Sequence, residues 1–200
     1  MKLSLADRAE AFRQAFPKQP ASWPWLTRED GRSVLYAVWV IGAAYGNDSE
    51  LYGAYPRGYL KRVMAFYPDV ALTDILHPFS GSLPHGKYTR LDLNPARQPD
   101  VLGDVCHARR LFPEGRFELA IADPPYSAED AVHYGVPMVN RAKAISALAG
   151  VVRPRGHLVW LDTQWPMHSK REWVTVGRIL LERSTMHRTR SLHLFERSAA

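Results

Sequence analysis

Cysteine is nearly absent from this 200-residue chain, Cys106 being the only one. A single thiol excludes an internal disulfide and any zinc site built from several cysteines, and such scarcity suits a reducing cytoplasm. Long apolar runs are missing as well. The best stretch, residues 34–44, is too short to cross a bilayer and reads as a buried helix, so no membrane partner is expected. The start of the sequence lacks a basic segment followed by an apolar one and a small-residue cleavage site, so no secretory leader is expected. The eight histidines include no H-x-x-x-H spacing, and Cys106-His107 is a lone adjacency, so no metal site is expected. A G-x-G-x-x-G dinucleotide fingerprint is missing, and no Gly-Lys-Ser/Thr follows Ser80-Gly81-Ser82, which argues against a phosphate loop. Internal repeats and low-complexity segments are absent too.

What is present is an ordinary globular composition, 46% hydrophobic, with a formal net charge of +6 and a pI near 9.6. The charge favours a polyanionic partner without specifying a fold. Basic residues thicken toward the end, from Arg153 and Arg155 to Arg188, Arg190 and Arg197, but Asp162, Glu172, Glu182 and Glu196 are interleaved with them. That segment reads equally as a solvated mixed surface or as a phosphate-binding face.

Residues 4–16 place Leu5, Ala9, Phe12 and Phe16 on one side of a short amphipathic helix that Pro17 and Pro20 end. Trp23-Pro24-Trp25 opens an aromatic loop. Thr27 then reads as an N-cap, with Asp30 in the first turn of a helix running to about residue 44. Gly46 to Ser49 form a break. Another short helix is predicted over 59–66, closed by Pro68. The pattern makes residues 1–50 an N-terminal helical extension and residues 51–200 the main domain.

From residue 71 short apolar runs alternate with loops, over 72–76, 88–91, 117–122 and 157–161, as strands buried on both faces should. A helix is predicted over about 137–151, stopped by Pro154-Arg155-Gly156. Runs 174–182 and 191–196 read as an antiparallel pair. The fold class is therefore α/β, a mostly parallel sheet with an antiparallel C-terminal hairpin and N-terminal helices. Ligands of such sheets bind at the carboxyl ends of the strands. Those ends carry His77-Pro78-Phe79-Ser80-Gly81-Ser82, Asp92, Gly103-Asp104-Val105 and Asp123-Pro124-Pro125-Tyr126.

The last of these says most. Two consecutive prolines have no N–H and cannot continue a ladder, so they hold the backbone stiffly past the strand and leave the Pro124 carbonyl free. An acceptor side chain, a fixed carbonyl and an aromatic ring together suit an amino-substituted base, with two acceptors for its N–H groups and a ring for stacking. The bland alternative is a proline-capped strand end with a core tyrosine, and the other strand ends weigh against it. The loop 127–135, with Glu129, Asp130, His133 and Tyr134, either closes over such a base or is ordinary surface. Trp160, Asp162, Gln164 and Trp165 lie past the next strand end; the tryptophans read first as core, as do Trp23, Trp25 and Trp39.

In these residues the sequence resembles the class I amino-methyltransferases that include DNA N6-adenine and N4-cytosine enzymes. Asp123-Pro124-Pro125-Tyr126 is similar to their catalytic D/N/S-P-P-Y motif. Pro78-Phe79-Ser80-Gly81 is similar to part of their cofactor loop, and the segment Tyr55-Pro56-Arg57-Gly58-Tyr59-Leu60 precedes it as their N-terminal cofactor-binding segment often does. The resemblance implies a Rossmann-like sheet with S-adenosylmethionine as cofactor. It places Asp92 against the cofactor ribose, Asp104 and Val105 beside its adenine, and Tyr55, Tyr59, Pro78, Phe79, Ser80 and Gly81 around the rest. It further implies that Asp123 and the Pro124 carbonyl accept from the target amine while Tyr126 stacks on the base. Adenine N6 in DNA is the leading substrate, because Asp heads the motif. Cytosine N4, an RNA base, and a non-catalytic nucleic-acid-binding relative are the alternatives. His77 stands where the family has an acid and Leu83 where it has a second glycine, and residues 83–87 leave no room for the usual first helix. No segment is large enough for a separate target-recognition domain, so specificity is expected from a second copy of the chain or another partner.

Overall fold

The computed structural model describes residues 2–18, 25–27, 33–41, 55–56, 58–183 and 189–199. The predicted aromatic loop at Trp23-Pro24, the break at 46–49 and Arg57 lie outside these residues. The chain begins with helix α1 (Leu5–Ala15), which Ser4 and Asp7 start with a reciprocal capping box. Strands β1 (Trp25–Thr27) and β2 (Ser33–Ile41) follow, then helix α2 (Tyr59–Phe66). Strands β3 (Ile75–Pro78), β4 (Thr89–Asp92) and β5 (Val101–Leu102) come next. Helix α3 (Ala108–Leu111), strand β6 (Phe117–Ala122), helices α4 (Ala128–His133) and α5 (Arg141–Val151), and strands β7 (Val152–Asp162), β8 (Trp173–Arg183) and β9 (Arg190–Arg197) complete it.

Among the described residues the strands form one sheet in the order β1-β2-β8-β9-β7-β6-β3-β4-β5. Pairs β2–β8, β3–β4, β3–β6, β4–β5 and β6–β7 are parallel. Strand β9 runs antiparallel between β7 and β8, closing the C-terminal hairpin expected from the pattern. The result is the Rossmann-like, mostly parallel α/β sheet. From β3 the chain steps outward through β4 and β5, then returns to the other side of β3 for β6 and β7. That reversal puts the topological switch point, where such sheets bind ligands, at the carboxyl ends of β3 and β6.

The helix predicted from Thr27 to about residue 44 is a correction: residues 33–41 are strand. The run is rich in β-branched and aromatic residues, and its burial alternates with period two over residues 38–41. Leu35, Trp39 and Ile41 are buried, while Val38 and Val40 are exposed. A short apolar run does not separate helix from strand by periodicity alone, and pairing along β8 decides it. Trp39 is core, stacked on Phe12 at 4.8 Å.

Three boundaries also move. Residues 72–74 make a 3-10 turn, so Pro78 closes β3. Helix α5 starts at Arg141, because the Asn140 side chain accepts from the Lys143 N–H as N-cap. Pro154-Arg155-Gly156 lies inside β7, beside the register shift opposite Phe117 and Leu119. Two cores flank the sheet. One packs α1 and α2 on Leu119, Ile121, Val159 and Leu161; the other packs α5 on Ala120, Ala122, Leu158 and Trp160. Between β3 and β4 no helix forms. Buried Arg90 instead anchors that loop, donating to the Leu83 and Gln98 carbonyls and to Asp100. Among the described residues no helix is long and apolar enough to cross a membrane.

Candidate active site

The carboxyl ends of β3, β4, β5 and β6 open into one cavity of about 360 Å³. It is lined by Phe79 and Gly81 from the β3–β4 loop, Asp92 from β4, Asp104 and Val105 after β5, and Asp123 to Tyr126 after β6. Nine sequence-predicted positions therefore share one space.

Asp123 leaves β6 half-buried in the cavity wall. Burial pushes its carboxyl up from 3.8 to about 6, even though the Tyr126 hydroxyl donates to it and Arg190 lies nearby, both of which pull the other way. It is mostly ionised at neutral pH and able to accept hydrogen bonds. The carbonyls of Pro125 and Tyr126 accept from Arg141 at 3.4 and 3.0 Å, whereas among the described residues no donor reaches the Pro124 carbonyl. The Tyr126 ring lies beneath the Arg190 guanidinium, 4.9 Å from its centroid. In this state the tyrosine therefore has its hydroxyl on Asp123 and an arginine on one face.

Asp92, 8% exposed, organises the loop opposite. Its carboxylate accepts from the Gly81 N–H at 2.7 Å and from the Asn94 N–H at 2.8 Å. To make that turn Phe79 adopts φ +59° and Gly81 φ +51°. Left-handed backbone at a bulky aromatic is costly, and such strain collects at functional sites. The Asp104 carboxylate accepts from the Cys106 N–H at 2.8 Å and starts the turn that buries Val105.

Tyr55, Tyr59, Pro78 and Ser80 stand outside the cavity lining. The Tyr55 hydroxyl donates to the Ile121 carbonyl at 2.7 Å and lies 3.0 Å from His77 Nδ1. Its one proton is thereby used, so His77 donates from Nδ1. Burial pushes His77 down to about 3, leaving a neutral imidazole where the resemblance has an acid. Tyr59 is buried and stacked on Tyr55 at 5.4 Å, and among the described residues its hydroxyl has no partner. Ser80 is buried, its N–H donating to the Leu91 carbonyl at 3.1 Å.

Several lining residues escaped the sequence reading: Asn94, Arg97, the stretch 136–140, Lys143 and Arg190. Asn140 carries a recognisable signal, since an N-cap there starts the helix only at Arg141 and leaves 136–140 as wall. Arg190 has none, because only the hairpin brings it beside Tyr126. The loop 127–135 holds α4, capped by Ser127, and Tyr134 lines the cavity while its carbonyl accepts from Asn94 Nδ2 at 2.8 Å. Trp160 and Trp173 are core, and Trp165 is exposed.

No family model matches the sequence, and no curated protein does. Solved structures with a similar backbone course include TrmN of Thermus thermophilus, 12% identical over 98% of this chain and 80% of that one, TM-score 0.44. A putative methyltransferase, YhhF, of Escherichia coli is 13% identical over 85% of this chain and 94% of that one, TM-score 0.48. The MycE methyltransferase of the mycinamycin biosynthetic pathway, in complex with Mg and SAH, is 12% identical over 99% and 54%, TM-score 0.31. Likeness at this level assigns no residue a role, and the fold rests on the strand order itself.

Proposed function

We propose that this chain is an S-adenosylmethionine-dependent methyltransferase acting on an exocyclic amino group of a nucleic-acid base, with adenine N6 in DNA as the leading substrate. The observation that carries the reading is one cavity lined by a carboxylate and an adjacent carbonyl that no donor among the described residues reaches, Asp123 and Pro124, together with Asp92 and Asp104.

The cofactor fits the residues present. About 360 Å³ lies in the range of small-molecule sites. Asp92 uses one lone pair on each oxygen for a backbone N–H, leaving acceptor capacity for ribose hydroxyls. Asp104 and Val105 would flank the adenine, and Phe79 and Gly81 would close the loop side. When bound, S-adenosylmethionine supplies an electrophilic methyl group. Asp123 and the Pro124 carbonyl accept the two amine N–H bonds, drawing the nitrogen out of conjugation so that its lone pair is available. This is catalysis by position and fixed charge. Asp123 must release the Tyr126 hydroxyl, in whole or part, to do so. Arg97, Lys143 and Arg190 among the lining residues suit a polyanionic substrate.

Two measurements test this. Calorimetry with S-adenosylmethionine should show binding; its absence favours a non-catalytic nucleic-acid-binding relative, the reading that neutral His77 and the occupied Asp123 support. Mass spectrometry of nucleosides from DNA and RNA incubated with protein and cofactor should show N6-methyladenine from DNA. N4-methylcytosine, or a methylated base from RNA alone, would move the substrate. No methylated base, despite cofactor binding, would sink the reading.

A further inference from the structure

The prolines of the tetrapeptide create a mechanical problem that the fold solves elsewhere. Pro124 and Pro125 have no N–H, so the backbone after β6 cannot be fixed by donating to its neighbours. It is held through its carbonyls. One guanidinium, that of Arg141, shares one Nη2 proton between the carbonyls of Tyr126, at 3.0 Å, and Pro125, at 3.4 Å. The same guanidinium donates to Asp162 through Nε at 2.7 Å and Nη2 at 3.3 Å.

Asp162 is wholly buried at the end of β7, and its two oxygens also accept from the Trp160 Nε1–H and the Thr163 and Gln164 N–H groups. A buried carboxylate satisfied on every side does not reorient freely, so its partner arginine is aimed. Arg141 is also the first residue of α5, directly after the cavity wall of residues 136–140. Three elements, the ends of β6 and β7 and the start of α5, are therefore joined at one point. Of three successive carbonyls, those of residues 125 and 126 are taken, while no donor among the described residues reaches the one at 124, a residue of the cavity wall.

We propose that Arg141 and Asp162 are positioning residues that clamp the Pro125-Tyr126 backbone, and so hold the Pro124 carbonyl and the Tyr126 ring in register with Asp123. Neither touches substrate. The assignment deepens the methyltransferase reading and rests on it for its catalytic consequence, but the clamp itself does not depend on that reading.

Two variants test it. Arg141→Lys keeps a cation beside Asp162 but cannot hold a carboxylate and two carbonyls together. The double variant Arg141→Met with Asp162→Asn removes both charges at once, so no buried charge is orphaned and folding is preserved if the single variant fails. The Tyr126 13Cζ resonance reports whether its hydroxyl still donates to Asp123, with no need of substrate or cofactor. In either folded variant that resonance should move to the position of a freely solvated tyrosine. In parallel kcat should fall by about tenfold or more, while cofactor affinity by calorimetry stays within about twofold. A resonance unmoved in a folded variant, or kcat within about twofold of wild type, overturns the proposal. If wild type methylates no base, the functional reading fails, and the resonance alone still decides the clamp.

Discussion

Replacing Asp123 by asparagine should stabilise the folded protein at neutral pH. Burial lifts this carboxyl from 3.8 to about 6, so the folded state holds its proton more tightly than the unfolded chain does. The sign follows by linkage: the stabilising contribution is complete below 3.8 and is lost as pH rises through about 6. Near pH 7.5 the ionised group costs up to about 3 kcal/mol, at roughly 1.4 kcal/mol per pH unit of displacement. The side chain is only partly shielded from the cavity, and about 1–3 kcal/mol is the working range. Asparagine keeps the shape and an acceptor for the Tyr126 hydroxyl but carries no charge. For a chain of this size the gain corresponds to a rise in Tm of about 3–10 °C near pH 7.5, shrinking to nothing below about pH 4. Thermal unfolding followed by circular dichroism across that pH range reads it directly. A gap that is the same at every pH, or a less stable variant at neutral pH, would refute the reasoning.

Three further outcomes are expected. Tyr126→Phe removes a donor that holds the Asp123 carboxyl down, so the acid limb of methyl transfer should move upward from about 6, by about one pH unit or more, and activity should recover at alkaline pH; a limb that stays put or falls contradicts the assignment. Asp92→Asn should weaken S-adenosylmethionine binding about tenfold or more by calorimetry, because a neutral amide is a poorer acceptor for ribose hydroxyls and cannot hold the Gly81 and Asn94 N–H groups equally well; unchanged affinity would remove Asp92 from the cofactor site. Cys106 lines the cavity, and burial pushes its thiol from 9.0 up to about 11, so its alkylation near neutral pH should run about a hundredfold below that of an ordinary thiol. Saturating S-adenosylhomocysteine should slow it further, as intact-mass spectrometry would show, and rapid labelling indifferent to that ligand would place Cys106 elsewhere.

Local chemistry made much of this protein readable from its residues. The apolar stripe of Leu5, Ala9, Phe12 and Phe16 marks α1; the run 117–122 reads as a doubly buried strand; Asp123-Pro124-Pro125-Tyr126 announces itself because prolines stop a ladder wherever they fall. Acids at successive strand ends meet because a parallel α/β sheet sends every carboxyl end to one edge. Tertiary structure decided what no local pattern encodes. Residues 33–41 became strand because β8 offers a partner, where an isolated segment could equally turn as a helix. Arg190 reached Tyr126 only through the β8–β9 hairpin, and Arg141 found Asp162 and two carbonyls across three elements. Those contacts join residues far apart in sequence, so they depend on how the sheet closes. The sequence alone placed the candidate site at the strand ends; packing determined which charges surround it and what holds it still.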